Sequence, residues 1–391
     1  MRKSILVICG TDLQKAPRFL TQLEALYKDY DIIAAGYSGD LQSKKYKFIP
    51  LIKGKREANF VFHLKYPFIV RKAISAALRI IFFKTIDPEK NRILDNFNLL
   101  KKYNYDLVIS HHLNDLPMGV KLAQFKGVKL IFNAHEYYPL QFEDKPEWMK
   151  NTYPYNMKIA RDNFKFVDAC FCVGTKIAEK YKQEFNLDSL VITNAKPFVK
   201  LQPKPIDKND KIKLIHHGAA NRSRKIEFMI ELVKYLGDKY TLDLVLVPGE
   251  EKYIDELKHK AAPYSNINFP EAVSTQEIST YINKYDIGVY ILPPTNFNGT
   301  NALPNKFFEF VQARLAIAIG PSPEMAYLLN KYDLGVVSDD FTTESLAEKI
   351  LQLDADKIMY YKNQAHKHAQ ELSVDENMRK INETVSNLLK G

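Results

Sequence analysis

Short apolar runs alternate with amphipathic helical patterns along nearly the whole chain. In the first half the strand-like runs are almost wholly apolar, and they occupy residues 5–9, 31–35, 107–110, 128–133, 169–173 and 190–193. Such runs are typical of parallel strands that are covered on both faces. Helical patterns lie between them at 17–28, 116–125 and 175–185. This alternation predicts an open parallel sheet built from βαβ units.

Residues 196–211 interrupt the alternation, because Pro197, Pro203 and Pro205 lie there among lysines and aspartates. We interpret this stretch as a linker. The alternation then resumes, with strand-like runs at 213–217, 242–247, 267–269, 287–291, 315–319 and 335–337. Helical patterns follow at 225–236, 252–261, 275–285, 304–313 and 343–353.

These patterns predict an α/β protein with two Rossmann-like, doubly wound domains. The predicted domains are 1–195 and 212–374, joined by the linker 196–211 and followed by a C-terminal helix over 375–391. Two such domains should face each other across a cleft. Ligands of open α/β sheets bind beyond the carboxyl ends of the strands, so the loops at those ends are the candidates for function.

The composition adds a preference for anionic partners. The chain has 391 residues, 46% of them hydrophobic, and a formal net charge of +10. Such a charge favours nucleotides, phosphorylated substrates or an anionic membrane surface. No uncharged apolar run approaches the ~18 residues of a membrane span, so we expect a cytoplasmic protein that is at most peripheral to the inner face of the membrane. Cys9, Cys170 and Cys172 lie in apolar runs and are expected to be buried, reduced thiols.

The segment 299–309 is the strongest candidate for a phosphate site. Pro304 fits the first turn of a helix, where its missing N–H costs nothing. The free N–H groups at a helix N-terminus favour an anion such as a diphosphate. Gly299 allows a close backbone approach, and Glu309 is placed to accept hydrogen bonds from ribose hydroxyls. The alternative is an ordinary capped helix with a phenylalanine core.

A second cluster follows the first strand of the carboxyl half. Gly218 opens a turn that also contains Arg222 and Arg224. Guanidinium groups bind phosphates bidentately. A plain basic helix start is the less attractive interpretation, because cations at a helix N-terminus oppose its dipole.

Taken together, these stretches resemble the GT-B glycosyltransferases of the family-4 type. The resemblance rests on the glycine turn with its arginines, on Pro-Asn-Lys-Phe-Phe-Glu at 304–309, and on the loops 112–117 and 133–139. Asp12, with Pro17 and Arg18, is similar to the family's first loop and helix. The family implies a retaining, hexosyltransferase-type transfer from a nucleoside diphosphate sugar to an acceptor hydroxyl. It also implies no metal ion and no other cofactor, with a role in surface polysaccharide or glycoconjugate synthesis.

The resemblance and the loop positions together suggest three groups of site residues. The catalytic candidates are His135, Glu136, Arg222, Arg224 and Lys306. The donor-binding candidates are Gly218, Gly299, Thr300, Asn301 and Glu309, with the N–H groups of 299–301 assigned to the diphosphate. The acceptor-side candidates are Asp12, His112 and Asp115.

The sequence departs from the family pattern at two positions. Asn301 stands where the family often has the first of two glutamates, so an amide is expected there in place of a carboxylate. Arg314 replaces the glycine that commonly ends the helix, which we interpret as a local backbone matter.

Three further features have competing interpretations. Asp354-Ala355-Asp356 fits a metal-binding signature, but its position before a helical pattern indicates a helix cap. Residues 68–84 form a basic amphipathic pattern, which suits either contact with an anionic membrane or a helix that covers the first sheet. A sugar-nucleotide epimerase of the same fold and a non-catalytic nucleotide-sugar-binding scaffold remain alternative functions. Dispersed lysines and the lack of a recognition motif argue against nucleic acid as a partner.

Overall fold

The computed structural model of the chain describes residues 2–53 and 88–390, which contain two parallel β-sheets. The strands of the first sheet are β1 (Ser4–Ile8), β2 (Asp31–Gly36), β3 (Lys47–Pro50), β4 (Leu107–His111), β5 (Lys129–Asn133), β6 (Ala169–Cys172) and β7 (Ser189–Val191). Those of the second are β8 (Ile212–Ala219), β9 (Tyr240–Val247), β10 (Ile267–Asn268), β11 (Ile287–Tyr290), β12 (Ala316–Ile319) and β13 (Gly335–Val337).

Both sheets have the strand order of a doubly wound fold. The first runs β3-β2-β1-β4-β5-β6-β7 and the second β10-β9-β8-β11-β12-β13. In each, the chain starts at the centre, winds to one edge, and then returns past the centre to the other edge. This is the order 3-2-1-4-5-6 of Rossmann-type sheets, and it confirms the predicted fold class.

Helices connect the strands. In the amino half they span Pro17–Leu26, Pro88–Leu100, Leu116–Lys126, Pro146–Asn151, Tyr153–Asn163 and Thr175–Phe185. In the carboxyl half they span Glu227–Leu236, Tyr253–Ala261, Ile278–Ile282, Phe297–Thr300, Asn305–Gln312, Pro323–Tyr332, Thr343–Leu351, Ala355–His368 and Val374–Lys390.

The chain packs as two compact units. The first contains residues 1–135, 154–171 and 382–391, and the second contains 136–153 and 172–381. Residues 136–153 and 172–195, which the sequence placed in the first predicted domain, lie in the second unit. The limits 1–195, 196–211, 212–374 and 375–391 remain predictions.

The core of the second unit lies on both faces of its sheet. Consecutive residues of a strand point to opposite faces. Leu214 belongs to a cluster with the helix Glu227–Leu236, whereas Ile215 belongs to a different cluster that includes Phe307 and Phe310. Both faces are therefore apolar and covered, which explains why these strands appear in the sequence as continuous apolar runs.

The first unit is organised in the same way around its central strands. The residues of β4, from Leu107 to His111, are all buried, and so are those of β1 from Ile5 onwards. All three cysteines are buried thiols, as predicted.

Most predicted elements are present, with small shifts at their ends. The helix Thr175–Phe185 has the predicted limits, whereas the pattern at 275–285 yields only the helix Ile278–Ile282. The strand β3 escaped prediction because it is an edge strand with a single fully buried residue, and it ends at Pro50. Edge strands tolerate proline and polar residues, so they lack the apolar run on which the prediction depends.

Candidate functional site

Gly218, Arg224 and Lys306 meet at the carboxyl end of β8. Gly218 has φ 121°, which side-chain-bearing residues rarely adopt. A Cβ atom added there would lie 3.3 Å from Arg224 Nη1 and 3.8 Å from Lys306 Cε. The structure thus brings together three residues that span 88 positions of the sequence (306 minus 218), and the glycine leaves room for both basic side chains.

Lys306 lies on the first turn of the helix Asn305–Gln312 and is buried, with 5% of its surface exposed. Its Nζ is 2.8 Å from His216 Nε2 and 4.0 Å from the centre of the Tyr290 ring. Burial holds the pKa of Lys306 well below its usual value, Arg224 lowers it further, and Glu309 opposes the change. An anion bound near such an amine raises its pKa and so favours its protonated form.

Glu309 lies one helical turn beyond Lys306 and is 7% exposed. Its Oε1 is 2.9 Å from Lys196 Nζ, and its Oε2 is 3.6 Å from His217 Nε2. The His217 Nε2 atom is buried and has no hydrogen-bond partner among the residues that the structure describes. Burial lowers the pKa of that imidazole well below its usual value. The carboxylate is thereby held at the same end of β8 as Arg224 and Lys306.

The two arginines of the turn have different surroundings. Arg222 donates to both carboxylate oxygens of Glu256, at 2.6 and 2.5 Å, and its guanidinium lies over the Tyr253 ring. Within residues 2–53 and 88–390, no carboxylate lies within ion-pair distance of Arg224. The structure therefore favours Arg224 over Arg222 as the second cation of the site.

The backbone N–H groups of Gly299, Thr300 and Asn301 already have acceptors. They donate to the Asn296 side chain, the Asn296 carbonyl and the Phe297 carbonyl, at 2.7, 2.8 and 3.1 Å. These hydrogen bonds form the short helix Phe297–Thr300, which the Asn296 side chain caps. The assignment of the three N–H groups to the diphosphate stays a prediction.

The next helix supplies free N–H groups. Among the described residues, no protein acceptor faces the N–H groups of Asn305 and Lys306, in the first turn after Pro304. The Asn301 side chain donates its Nδ2 to the Phe297 carbonyl at 2.9 Å. An amide at position 301 thus stabilises the local turn.

A loop from the amino half of the sequence packs on this region within the second unit. The Tyr137 N–H donates to Asn298 Oδ1 at 2.7 Å, and Asn298 Nδ2 donates to the Tyr137 carbonyl at 3.0 Å. The carboxylate of Glu143 accepts from the Phe297 N–H. The loop that follows Glu136 is therefore fixed to the segment that leads into the helix of Lys306.

In the first unit, histidines at the ends of β4 and β5 form a hydrogen-bonded chain. His111 Nε2 is 2.8 Å from Gln22 Oε1, and His111 Nδ1 is 3.0 Å from His135 Nε2. With Gln22 Oε1 as acceptor, His111 carries its proton on Nε2 and accepts from His135 Nε2–H at Nδ1. The neutral imidazole of His135 then carries no proton on Nδ1, which has a lone pair that can accept one.

Burial, helped by nearby positive charge, favours the neutral form of these histidines. Burial lowers the pKa values of His111 and His135 well below the usual value. The positive charge of Arg18 lowers both further, as it does for His112. A neutral imidazole is the form of histidine that accepts a proton.

The acceptor-side candidates His112, Asp115 and Asp12 have local contacts. His112 has φ 59°, and its Nε2 lies 3.8 Å from Cys9 Sγ. Asp115 is buried and accepts from the Gly10 N–H at 2.7 Å, so it holds the loop after β1. Asp12 accepts from the Gln14 N–H at 3.2 Å and caps a short 3₁₀ turn.

Glu136 directly follows His135 and is partly buried. Burial raises its pKa to about 7, while a 2.6 Å hydrogen bond from Gln141 Nε2 to its Oε1 opposes the change. A carboxyl group of this kind changes its protonation near neutral pH, which suits an acid or a base.

The metal-like signature at 354–356 is a helix cap, as predicted. Asp354 accepts from the Lys357 N–H at 2.7 Å, and Asp356 pairs with Lys208 at 2.9 Å. The described part of the chain contains no group of three or more histidine, cysteine or acidic side chains arranged to hold a metal ion.

The predicted amphipathic segment 68–84 lies outside the described residues. In the ranges 2–53 and 88–390, no helix has both the length and the apolar character needed to cross a bilayer.

Two contributors to the site were missed at the level of sequence. His216 was seen only as part of the run before Gly218, and Lys196 only as the first residue of the linker. Their partners, Lys306 and Glu309, are 90 and 113 positions away (306 minus 216 and 309 minus 196). The local signal was a histidine, His216, in an otherwise apolar strand, because a buried polar side chain needs a polar partner.

Solved structures match the chain over its whole length. The structure of Anabaena Alr3699/HepE in complex with UDP is 13% identical, with a TM-score of 0.70 over 98% of this chain and 100% of that chain. Sucrose-phosphate synthase from Thermosynechococcus elongatus is 13% identical, with a TM-score of 0.70 over 100% of this chain and 100% of that chain. WaaG, a glycosyltransferase involved in lipopolysaccharide biosynthesis, is 12% identical, with a TM-score of 0.62 over 97% of this chain and 99% of that chain.

Neither a protein-family model nor a curated protein matches the amino-acid sequence. Together with the two doubly wound sheets, the structural matches show that the chain has the GT-B fold.

Proposed function

We propose that the chain transfers a sugar from a nucleoside diphosphate sugar to an acceptor hydroxyl. The observation that carries this proposal is the meeting of Gly218, Arg224 and Lys306 at the end of β8, beside the carboxylate of Glu309. Two basic side chains, a glycine that leaves them room and a nearby carboxylate match the parts of a nucleoside diphosphate. In doubly wound folds this edge of the sheet is where nucleotides bind.

The diphosphate would be bound by Lys306, by Arg224 and by the N–H groups of Asn305 and Lys306. The latter two groups belong to the first turn of a helix, where the dipole also favours an anion. Negative charge develops on the departing diphosphate during transfer, so these donors stabilise the transition state more than the ground state. The loss of one such donor typically raises the barrier by about 3 kcal/mol.

Glu309 would bind the ribose. Its carboxylate accepts hydrogen bonds, and the Lys196 and His217 side chains hold it in place. Ribose hydroxyls are donors of the kind that carboxylates bind in other nucleotide folds. HepE has been solved with UDP and with UDP-glucose, and we extend that donor chemistry to this chain as part of the proposal.

We further propose that the transfer is of the retaining, hexosyltransferase type and that it uses no metal ion. Lys306 and Arg224 would neutralise the diphosphate charge that a metal ion neutralises in other transferases. Asn301 would contribute through the turn that it holds, since its amide nitrogen is bonded to the Phe297 carbonyl.

His135 would assist the acceptor hydroxyl. The chain from Gln22 through His111 leaves His135 Nδ1 as a neutral lone pair that can accept a proton. Glu136, with its pKa near 7, is a second candidate for proton transfer. Asp115 and Asp12 would act by shaping the loop after β1, and His112 by its contact with the His135 ring, with ring centres 4.5 Å apart.

We also propose a class of acceptor. The net charge of +10 and the structural likeness to WaaG support an anionic or lipid-linked acceptor in the synthesis of surface glycans. On this proposal the protein acts in the cytoplasm, and residues 68–84 provide peripheral contact with the membrane.

A panel of nucleotides tests the proposal. We expect nucleoside diphosphates and their sugars to raise the melting temperature of the native chain, because a ligand that binds only the folded state stabilises it. The Glu309→Gln variant should lose most of that stabilisation. If no nucleotide in the panel raises the melting temperature, the donor-site assignment is wrong.

A further inference from the structure

Lys306 and His216 form a buried pair of nitrogen bases whose proton arrangement the structure defines. His216 Nδ1 lies 3.0 Å from the Val289 carbonyl, which can only accept, so Nδ1 carries the proton of the neutral imidazole. Lys306 Nζ lies 2.8 Å from Nε2 and 3.4 Å from Nδ1, so it sits against the face of the imidazole ring. His216 thus places an uncharged ring directly against the amine.

The groups that surround Lys306 contribute little negative charge. Arg224 approaches from the turn after β8, His217 comes from β8 itself, and the ring of Tyr290 lies beneath Nζ. On its own helix the nearest acid is Glu309, which is already paired with Lys196. No carboxylate within residues 2–53 and 88–390 lies within 4.0 Å of Nζ.

This environment disfavours an ammonium group. Burial is the largest cause that holds the pKa of Lys306 well below its usual value, and the Arg224 charge adds to it. The pKa of His216 is also held well below its usual value, by burial and then by Lys306, so the imidazole does not compete for the proton.

We propose that His216 positions Lys306 as an uncharged amine in the free protein, and that binding of a nucleoside diphosphate draws one proton from solvent onto Nζ. The inference rests on the proposed function. The diphosphate supplies the negative charge that the surrounding protein groups lack. The new ammonium then donates to the diphosphate and keeps its contacts with the Tyr290 ring face and the His216 ring. The proton comes from water or buffer, and no covalent bond of the ligand is broken.

The linkage has a definite sign. Binding raises the pKa of Lys306 from its depressed value in the free protein. The affinity for the nucleoside diphosphate is therefore highest at pH values below the pKa of Lys306 in the free protein. As the pH rises above that pKa, the affinity falls by up to about tenfold per pH unit for one linked proton. The loss ends at the higher pKa of the complex.

Isothermal titration with UDP as the probe measures this proton. Titrations at about pH 8.5, above the phosphate pKa of ~6, are run in two buffers that differ in ionisation enthalpy. The difference in apparent enthalpy gives the number of protons taken up, which we expect to be clearly above zero for the native chain. Lys306→Arg should show an uptake near zero, because a guanidinium stays charged.

Variants at His216 separate positioning from simple packing. His216→Asp places a carboxylate beside Nζ, so Lys306 should be charged beforehand and the uptake should fall toward zero. His216→Asn keeps a neutral side chain of similar size and should retain the uptake. Equal uptake in these two variants would contradict the role of His216.

A titration of the free protein makes the test independent of any ligand. The ¹³Cε signal of Lys306, assigned by its absence in Lys306→Arg, should titrate well below the pH of an ordinary lysine. An ordinary lysine pKa, or UDP binding without net proton uptake, would overturn the inference. A depressed pKa together with no binding of UDP or other nucleotides would instead refute the proposed function, and the proton linkage with it.

Discussion

The guanidinium of Arg314 donates a 2.6 Å hydrogen bond to the Val199 carbonyl, although Arg314 itself has φ 61°. The same side chain donates to the Gln312 carbonyl at 2.6 Å and to the Val311 carbonyl at 3.2 Å. A residue with a left-handed backbone thus caps the helix of Lys306 and Glu309 and ties it to the predicted linker. Glycine would satisfy the backbone, but it could not form these bonds.

This relationship predicts the effect of restoring the glycine. Arg314→Gly relieves backbone strain but removes the side-chain donor of the buried Gln312 carbonyl and one of the donors of the Val199 and Val311 carbonyls. We therefore expect a net loss of about 1–3 kcal/mol in the free energy of unfolding. Arg314→Ala should lose about 1 kcal/mol more, because alanine does not favour the left-handed conformation. Chemical denaturation measures both. A glycine variant as stable as the native chain would refute the capping role.

The two arginines of the turn after β8 provide a test variant, at Arg224, and its control, at Arg222. Arg224→Ala should lower kcat by about 10²-fold, since it removes a donor from the developing charge on the leaving group. Arg222→Ala should leave kcat within a few-fold, because its guanidinium is bound to Glu256. Steady-state kinetics with thermal unfolding as a folding control measure the difference. A larger effect at Arg222 would reverse the assignment.

Glu309→Gln should weaken binding of a nucleoside diphosphate by about 10-fold or more, because a hydrogen bond to a charged group is worth roughly 1.5–3 kcal/mol. Glu256→Gln serves as the control, as its carboxylate pairs with the exposed Arg222. Calorimetric titration gives the two dissociation constants. The ribose assignment fails if both variants bind like the native chain.

Glu136 should make stability depend on pH. Burial raises its pKa in the folded state to about 7, above the ordinary value of 4.5 for a glutamate, so the native state holds the proton more tightly. The native chain should lose stability as the pH rises from about 5 to about 7, and Glu136→Gln should not. With allowance for solvent screening, the variant should be more stable by about 2 kcal/mol above pH 7 and similar at pH 5. Urea unfolding at both pH values tests this, and parallel pH profiles would contradict it.

The fold was predictable because most of its strands and helices have a recognisable local pattern in the sequence. Each of the central strands, such as β1 and β4, is an apolar run followed by a helical pattern, and the parallel arrangement follows from that alternation. The meeting of Gly218 with Lys306 could also be expected, since both follow strands whose carboxyl ends share one edge of a sheet.

The rest of the site depends on contacts that spacing does not encode. Arg222 and Arg224 look alike in the sequence, and Glu256, 34 positions away, decides between them. The Gly299 N–H was expected to be free, but the side chain of Asn296 caps it. The His216–Lys306 pair joins a strand to a helix 90 positions later.

The most direct test of the central claim is a crystal structure of the chain with the nucleoside diphosphate that stabilises it most. The account predicts diphosphate oxygens within hydrogen-bond distance of Lys306 Nζ and the Arg224 guanidinium, with the ribose on Glu309. A diphosphate bound away from both cations would contradict it.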